Sequence, residues 1–123
     1  MATPFKLEMT IASGQSTSSA PIYVAEVDIR SIQFPAAFTG ATISFTGAAV
    51  NKRSGNNDGT TLTYTAIKSA GSLVTVTASL DAIVVLSEAQ RDAIASAAWI
   101  KIVSASSEGG DRTVTMIGVS RYN

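Results

Sequence analysis

Apolar and polar residues alternate without interruption in FKLEMTI, residues 5–11 of the chain. Every odd position of this stretch is apolar and every even position is polar. Because successive side chains of a β-strand point to opposite faces, the pattern predicts a strand that buries one face and exposes the other. The same period of two recurs along most of the chain and indicates a fold built from half-buried antiparallel sheets.

Further strands are predicted wherever the alternation resumes between turn signals: over 22–34, 41–50, 61–67, 73–78, 82–86, 99–104 and 112–122. The apolar phase slips by one residue around Arg30 and Ser31, which predicts a β-bulge that bends or breaks the strand there. Asp58 and Gly59 form a turn signal, and residues 69–72 form another. Segment 82–86 is apolar enough for us to expect it to be covered on both faces.

One helix is expected between the last strands. Ser87 is followed three residues later by Gln90, the spacing of a capping box, and the alanine-rich continuation favours a helix near residues 88–97. The whole pattern predicts an all-β protein, an antiparallel β-sandwich of about eight strands, jelly-roll-like, with an immunoglobulin-like strand order left open. We expect one domain over residues 1–123, with residues 1–4 as an N-terminal arm.

Composition argues against enzymatic activity. The 123 residues include no histidine and no cysteine, so the side chains that titrate near neutral pH or attack as thiolates are missing. Glu8, Glu26 and Asp28 all fall in the polar phase of their strands, which favours a solvated face over a facing pair of catalytic carboxylates. We predict a protein that is not an enzyme and has no catalytic residue, no cofactor and no metal site.

Charge and hydropathy limit the partners. Nine basic and nine acidic residues give a formal net charge of zero, which does not suit a nucleic-acid partner. The polar loop at 56–58 has a single carboxylate, so a plain hairpin loop is favoured there over a calcium site. No apolar run approaches the length of a membrane span or a signal peptide. The expectation is a protein made in the cytoplasm and not secreted through a signal peptide.

The strand pattern does not show whether three aromatic residues are buried or exposed: Tyr23, Phe38 and Tyr122. Partial burial in the core is favoured for them, and a contact at an interface is the alternative. A carbohydrate-binding module on the same scaffold would need a coplanar row of exposed aromatics, for which these three are the candidates. This function is retained as an alternative from another class.

The order of segments from residue 32 onward resembles small structural proteins of tailed bacteriophages. The resemblance rests on IQFPAAFTGATISF at 32–45, NDGTTL at 57–62, WIKIVS at 99–104 and DRTVTMI at 111–117. It covers roughly residues 22 to 121, in order and with similar spacing. The loop before Asp58 is longer than the corresponding loop of the phage proteins that the chain resembles.

The resemblance implies a β-sandwich virion component, above all a capsid decoration (cement) protein that binds the assembled shell, often as a homotrimer. A tail, neck or baseplate protein is the alternative within the same class. The expected partners are further copies of the chain and the major capsid protein or other virion proteins. Docking residues do not follow from the resemblance, but the N-terminal segment and the polar loop are loop-like. We therefore expect partner contacts at Phe5, Lys6, Lys52, Arg53, Asn56 and Asn57.

Overall fold

The computed structural model describes residues 4–49 and 59–121. In this part of the chain the elements are, in order, β1 (Phe5–Ile11), β2 (Ile22–Tyr23), β3 (Val27–Gln33), β4 (Thr42–Ala48), β5 (Thr65–Ala66), β6 (Lys68–Ser69), β7 (Ser72–Leu73), β8 (Val76–Thr77), β9 (Ile83–Val85), α1 (Glu88–Ala95), β10 (Trp99–Ser104) and β11 (Arg112–Ser120).

Two antiparallel sheets form the body. Sheet A has the strand order β1-β11-β3-β9, and sheet B has the order β2-β10-β4-β5, with β8 also paired to β4. Strands β6 and β7 form a separate hairpin, whose turn residues Ala70 and Gly71 both have positive φ, as a type I′ turn requires. The all-β, sandwich-like prediction is confirmed. The described strands are shorter and more numerous than expected because several predicted segments are interrupted.

The core lies between the two sheets. Sheet A contributes alternate side chains such as Met9, Ile32 and Met116, and sheet B contributes Phe45 and Ile102, all of them buried. Full burial of such a side chain stabilises the fold by about 1.5–3 kcal/mol. The alternation seen in the sequence thus separates the core face from the solvent face, as predicted for residues 5–11.

The predicted β-bulge is confirmed. In the pairing of β3 with β11, Ser31 lies opposite Ile117 but Ile29 lies opposite Gly118, so Arg30 has no partner residue. One extra residue reverses the faces of the strand, which is why Ile29 and Ile32 both reach the core although three positions apart.

The helix begins as the sequence predicts. The side chain of Ser87 accepts a hydrogen bond from the Gln90 N–H (3.2 Å), and the Gln90 side chain accepts one from the Ser87 N–H (2.8 Å). The helix ends at Ala95, two residues earlier than expected, with Ser96 as the C-cap. With eight residues, α1 is too short to cross a bilayer. No helix in the described part of the chain is long and apolar enough to do so.

The strand predicted over 61–67 is largely wrong, since only Thr65–Ala66 is a strand. The preceding residues turn back, with the Leu62 N–H bonded to the Gly59 carbonyl and the Tyr64 hydroxyl donating to the same oxygen. Leu62 and Tyr64 pack with Trp99, which alternation places on the face of β10 opposite to the core residues. This segment therefore covers the outer face of sheet B.

Candidate docking surface

Strand β9 is an edge of sheet A. The Phe34 N–H bonds to the Ala82 carbonyl (3.0 Å), and the Leu86 N–H bonds to the Arg30 carbonyl (3.0 Å). Because successive backbone groups of a strand point in opposite directions, the N–H and C=O groups of Ile83 and Val85 face away from β3. Among the described residues no strand lies on that side, so this row of backbone groups is open.

The side chains of β9 add an apolar surface to this edge. Val84 is half-buried and packs against the core, whereas Ile83 is 56% exposed and Val85 is 80% exposed. The prediction that segment 82–86 is covered on both faces is therefore wrong. A run of consecutive apolar residues fits a central strand and an edge strand equally well, and only the sheet order distinguishes the two.

The apolar surface continues onto the outer face of sheet A. Val85 lies opposite Ser31 in β3, and Ser31 lies opposite the half-buried Ile117 in β11. Ser31 is only 8% exposed, as expected for a small residue between two larger β-branched ones. The open edge and this outer-face row form one surface, which we call the β9 edge.

A charged cleft of about 690 Å³ lies between the bulged part of β3, the helix α1 and the end of β11. One carboxylate oxygen of Asp28 accepts hydrogen bonds from Arg30 Nε (2.7 Å) and Arg91 Nη2 (2.9 Å). Burial raises the pKa of Asp28, but the two arginines lower it by more, so the pKa lies below its ordinary value of 3.8. Glu88 and Arg121 also line this cleft, which therefore has charges of both signs.

A second carboxylate, that of Glu108, binds the loop that follows β3 and the facing ends of β10 and β11. The Glu108 side chain is fully buried and accepts hydrogen bonds from the N–H groups of Thr39 (2.7 Å) and Gly40 (3.0 Å) and from the Ser104 hydroxyl (2.7 Å). Arg112 Nε lies 3.3 Å from it. The donors lie in the loop before β4, at the end of β10 and at the start of β11, so this carboxylate links three separate segments of the chain.

The predicted partner contacts are only partly placed. Phe5 and Lys6 begin β1, and Lys6 is exposed on the outer face of sheet A, opposite Ile117 in the pairing with β11. The other four predicted contacts, Lys52, Arg53, Asn56 and Asn57, lie outside the described residues.

The aromatic candidates for a carbohydrate site do not form a row. Phe38 is 7% exposed and packs edge-on against Phe34, with ring centroids 5.4 Å apart. Tyr23 is half-buried beside Trp99, with ring planes inclined at 59°. Tyr122 lies outside the described residues. The preference for core burial is thus confirmed for Phe38.

The three carboxylates considered in the sequence differ in exposure and in ion pairing. Glu8 in β1 and Glu26 before β3 are exposed, while Asp28 is held by the two arginines of the cleft. In the described part of the chain, no group of three or more carboxylates is placed to hold a metal ion.

Sequence reasoning missed the β9 edge, the arginine pair and Glu108. The bulge signal at Arg30 was available, but nothing in the sequence placed Arg91 of the helix beside Asp28. Glu108 sits in a glycine-rich turn, where an exposed carboxylate is the ordinary expectation.

No protein-family model matches the chain, and no curated protein matches it. Among solved structures it is similar to the crystal structure of the SPBc2 prophage-derived protein YomS, with a TM-score of 0.52 and 18% sequence identity. The match covers 98% of this chain and 97% of that chain. At this identity the similarity shows a shared fold, over nearly the full length of both chains.

Proposed function

We propose that the chain is a non-enzymatic structural component of a bacteriophage virion, a decoration (cement) protein that binds the outer surface of the assembled shell and stabilises it. The observation that carries this function is the open, uncharged β9 edge on a two-sheet body, since such an edge favours association with other protein chains. The shared fold with a prophage-derived protein supports a phage origin.

A shell-binding protein needs no chemistry, only a rigid body and contacts that are repeated over the particle. The core between the two sheets and the hydrogen bonds to the buried Glu108 support a rigid body. Copies that associate with one another multiply weak contacts to the shell into a stable attachment. A homo-oligomer is part of this proposal, and the sequence resemblance favours a trimer.

The contacts to the shell are proposed at the residues predicted from the sequence. Lys6 is exposed on sheet A, and Lys52 and Arg53 add positive charge in the polar loop. A shell surface with acidic groups would suit these three side chains. Exposed ion pairs each contribute about 0–1 kcal/mol, so attachment would depend on their repetition.

Co-sedimentation with shells tests the function. Shells of the parent phage prepared without this chain are mixed with the purified protein and pelleted, in parallel with isolated tails. The protein is expected to pellet with shells. Pelleting with tails alone would place it in the tail, neck or baseplate, and pelleting with neither would overturn a structural role in the particle.

Charge reversal tests the proposed contacts. The triple variant Lys6→Glu, Lys52→Glu, Arg53→Glu is expected to pellet less, most clearly at low salt, because exposed charges are screened at high salt. Lys68→Glu is the control for reversal of one exposed charge elsewhere, since Lys68 is exposed in the separate β6–β7 hairpin. Equal pelleting of the triple variant and wild type would rule these three contacts out.

A further inference from the structure

We propose that β9 pairs with β9 of a second copy of this chain, antiparallel and across a two-fold axis beside Val84. The starting point is the open side of the strand, where the N–H and C=O groups of Ile83 and Val85 have no partner among the described residues. Unpaired strand edges of this kind are templates for another strand.

The register follows from which residues face outwards. A pairing centred on Val84 places Ile83 opposite Val85 of the second copy and, by symmetry, Val85 opposite Ile83. These are the residues whose backbone groups are open, so both members of each pair exchange hydrogen bonds. Their exposed β-branched side chains meet on the same face, a favourable type of cross-strand pair.

The charges of the segment favour the chain's own strand as the occupant. Residues 82–87, AIVVLS, carry no charge, so the pairing brings no like charges opposite each other. The exposed Asp81 falls opposite Ser87 of the second copy. The Ser87 oxygen accepts from the Gln90 N–H, which leaves its hydroxyl proton to donate to that carboxylate.

The contact is small. A few residues from each copy bury less than the roughly 1,200 Å² typical of stable complexes, so the dimer is expected to be weak and reversible, with a dissociation constant in the micromolar to millimolar range. Pairing becomes substantial where copies are concentrated. A two-fold contact yields pairs, and so departs from the trimer that the sequence resemblance favours.

Sedimentation equilibrium of the purified protein, up to millimolar concentration, measures the pairing directly. Wild type is expected to show a reversible monomer–dimer equilibrium. Val85→Lys, at a position that is 80% exposed and outside the core, is expected to weaken the dimer by about tenfold or more because charged edge residues oppose pairing. Leu73→Lys is the control, because Leu73 is 49% exposed on the β6–β7 hairpin.

Backbone amide shifts locate the contact. The N–H signals of Ile83 and Val85 are expected to move with concentration, while that of Leu73 stays constant. A protein that remains monomeric, a trimeric mass, or a dimer that Val85→Lys leaves unchanged would each overturn the pairing. The measurement uses no shells, so its failure is distinguishable from a failure of the proposed function.

Discussion

At the scale of single residues, Glu108 is the side chain on which one end of the molecule depends. Burial raises the pKa of its carboxyl group, but the hydrogen bonds from Thr39, Ser104 and Gly40 and the contact with Arg112 lower it by more. The pKa therefore lies below its ordinary value of 4.5, and the ionised form is the one that stabilises the fold.

Glu108→Gln is expected to lower the free energy of unfolding by about 2–4 kcal/mol at neutral pH. The substitution removes the negative charge, and it places an amide N–H₂ group, itself a donor, against the hydrogen-bond donors that surround Glu108. Urea unfolding measures the change. Glu8→Gln is the control, since Glu8 is exposed in β1, and it should change stability by less than about 0.5 kcal/mol. A Gln variant as stable as the control would contradict the role assigned to Glu108.

The pH dependence has a definite sign. A carboxyl group whose pKa is lowered by folding stabilises the protein above its unfolded pKa, near 4.5, and loses that contribution as the pH falls through the lower folded value. The stability difference between wild type and Glu108→Gln should therefore be constant above about pH 5.5 and shrink below pH 4.5. Asp28, which shifts in the same direction, is present in both proteins and cancels. A difference that stays constant into acid would contradict the shift.

At the scale of elements, the bulge between β3 and β11 leaves no room for a side chain at Gly118. A Cβ there would lie 2.7 Å from Val27 Cγ1 and 2.8 Å from the Asp28 carbonyl oxygen. Gly118→Ala is expected to destabilise the fold by about 1–3 kcal/mol, because the backbone of β3 would have to move. Gly109→Ala is the matched control, since the nearest atom to a Cβ there would be Arg112 Nη2, at 3.6 Å. Equal thermal stability of the two variants would contradict this account.

Elements that depend on local pattern were predictable. Strands β1 and β10, the bulge at Arg30 and the capping box at Ser87 all follow from alternation, its phase and the spacing of polar residues. Residues 61–64 of the strand predicted over 61–67 are not a strand, because the contacts of Leu62 and Tyr64 with Trp99 override the strand-like composition.

The candidate site was less predictable than the fold. The exposure of β9 depends on its place at the edge of sheet A, and the contact of Asp28 with Arg91 joins residues far apart in the chain. Neither has a local signature. The exposure of Lys6 follows from alternation alone. A strand pattern predicts which side chains face solvent, but not which strand lies at the edge of a sheet.

At the scale of the whole molecule, the first and last described strands are neighbours, with Phe5 opposite Gly118. A circular permutant that joins the two ends by a short flexible linker and opens the turn between Ala70 and Gly71 should keep the fold. Far-ultraviolet circular dichroism and dispersed amide shifts like those of wild type are expected. Inserting the same linker at the turn, without joining the ends, controls for the linker. Loss of amide dispersion in the permutant alone would contradict the expectation.

The position of β11 also governs when the sheet can form during synthesis. Strands β1 and β3 are not neighbours in sheet A, because β11 lies between them. Until the ribosome has released residues 112–120, β1 has no neighbouring strand in sheet A to pair with, so no backbone pairing holds Met9 and Ile11 in their core positions. We therefore expect the nascent chain to be aggregation-prone until β11 emerges.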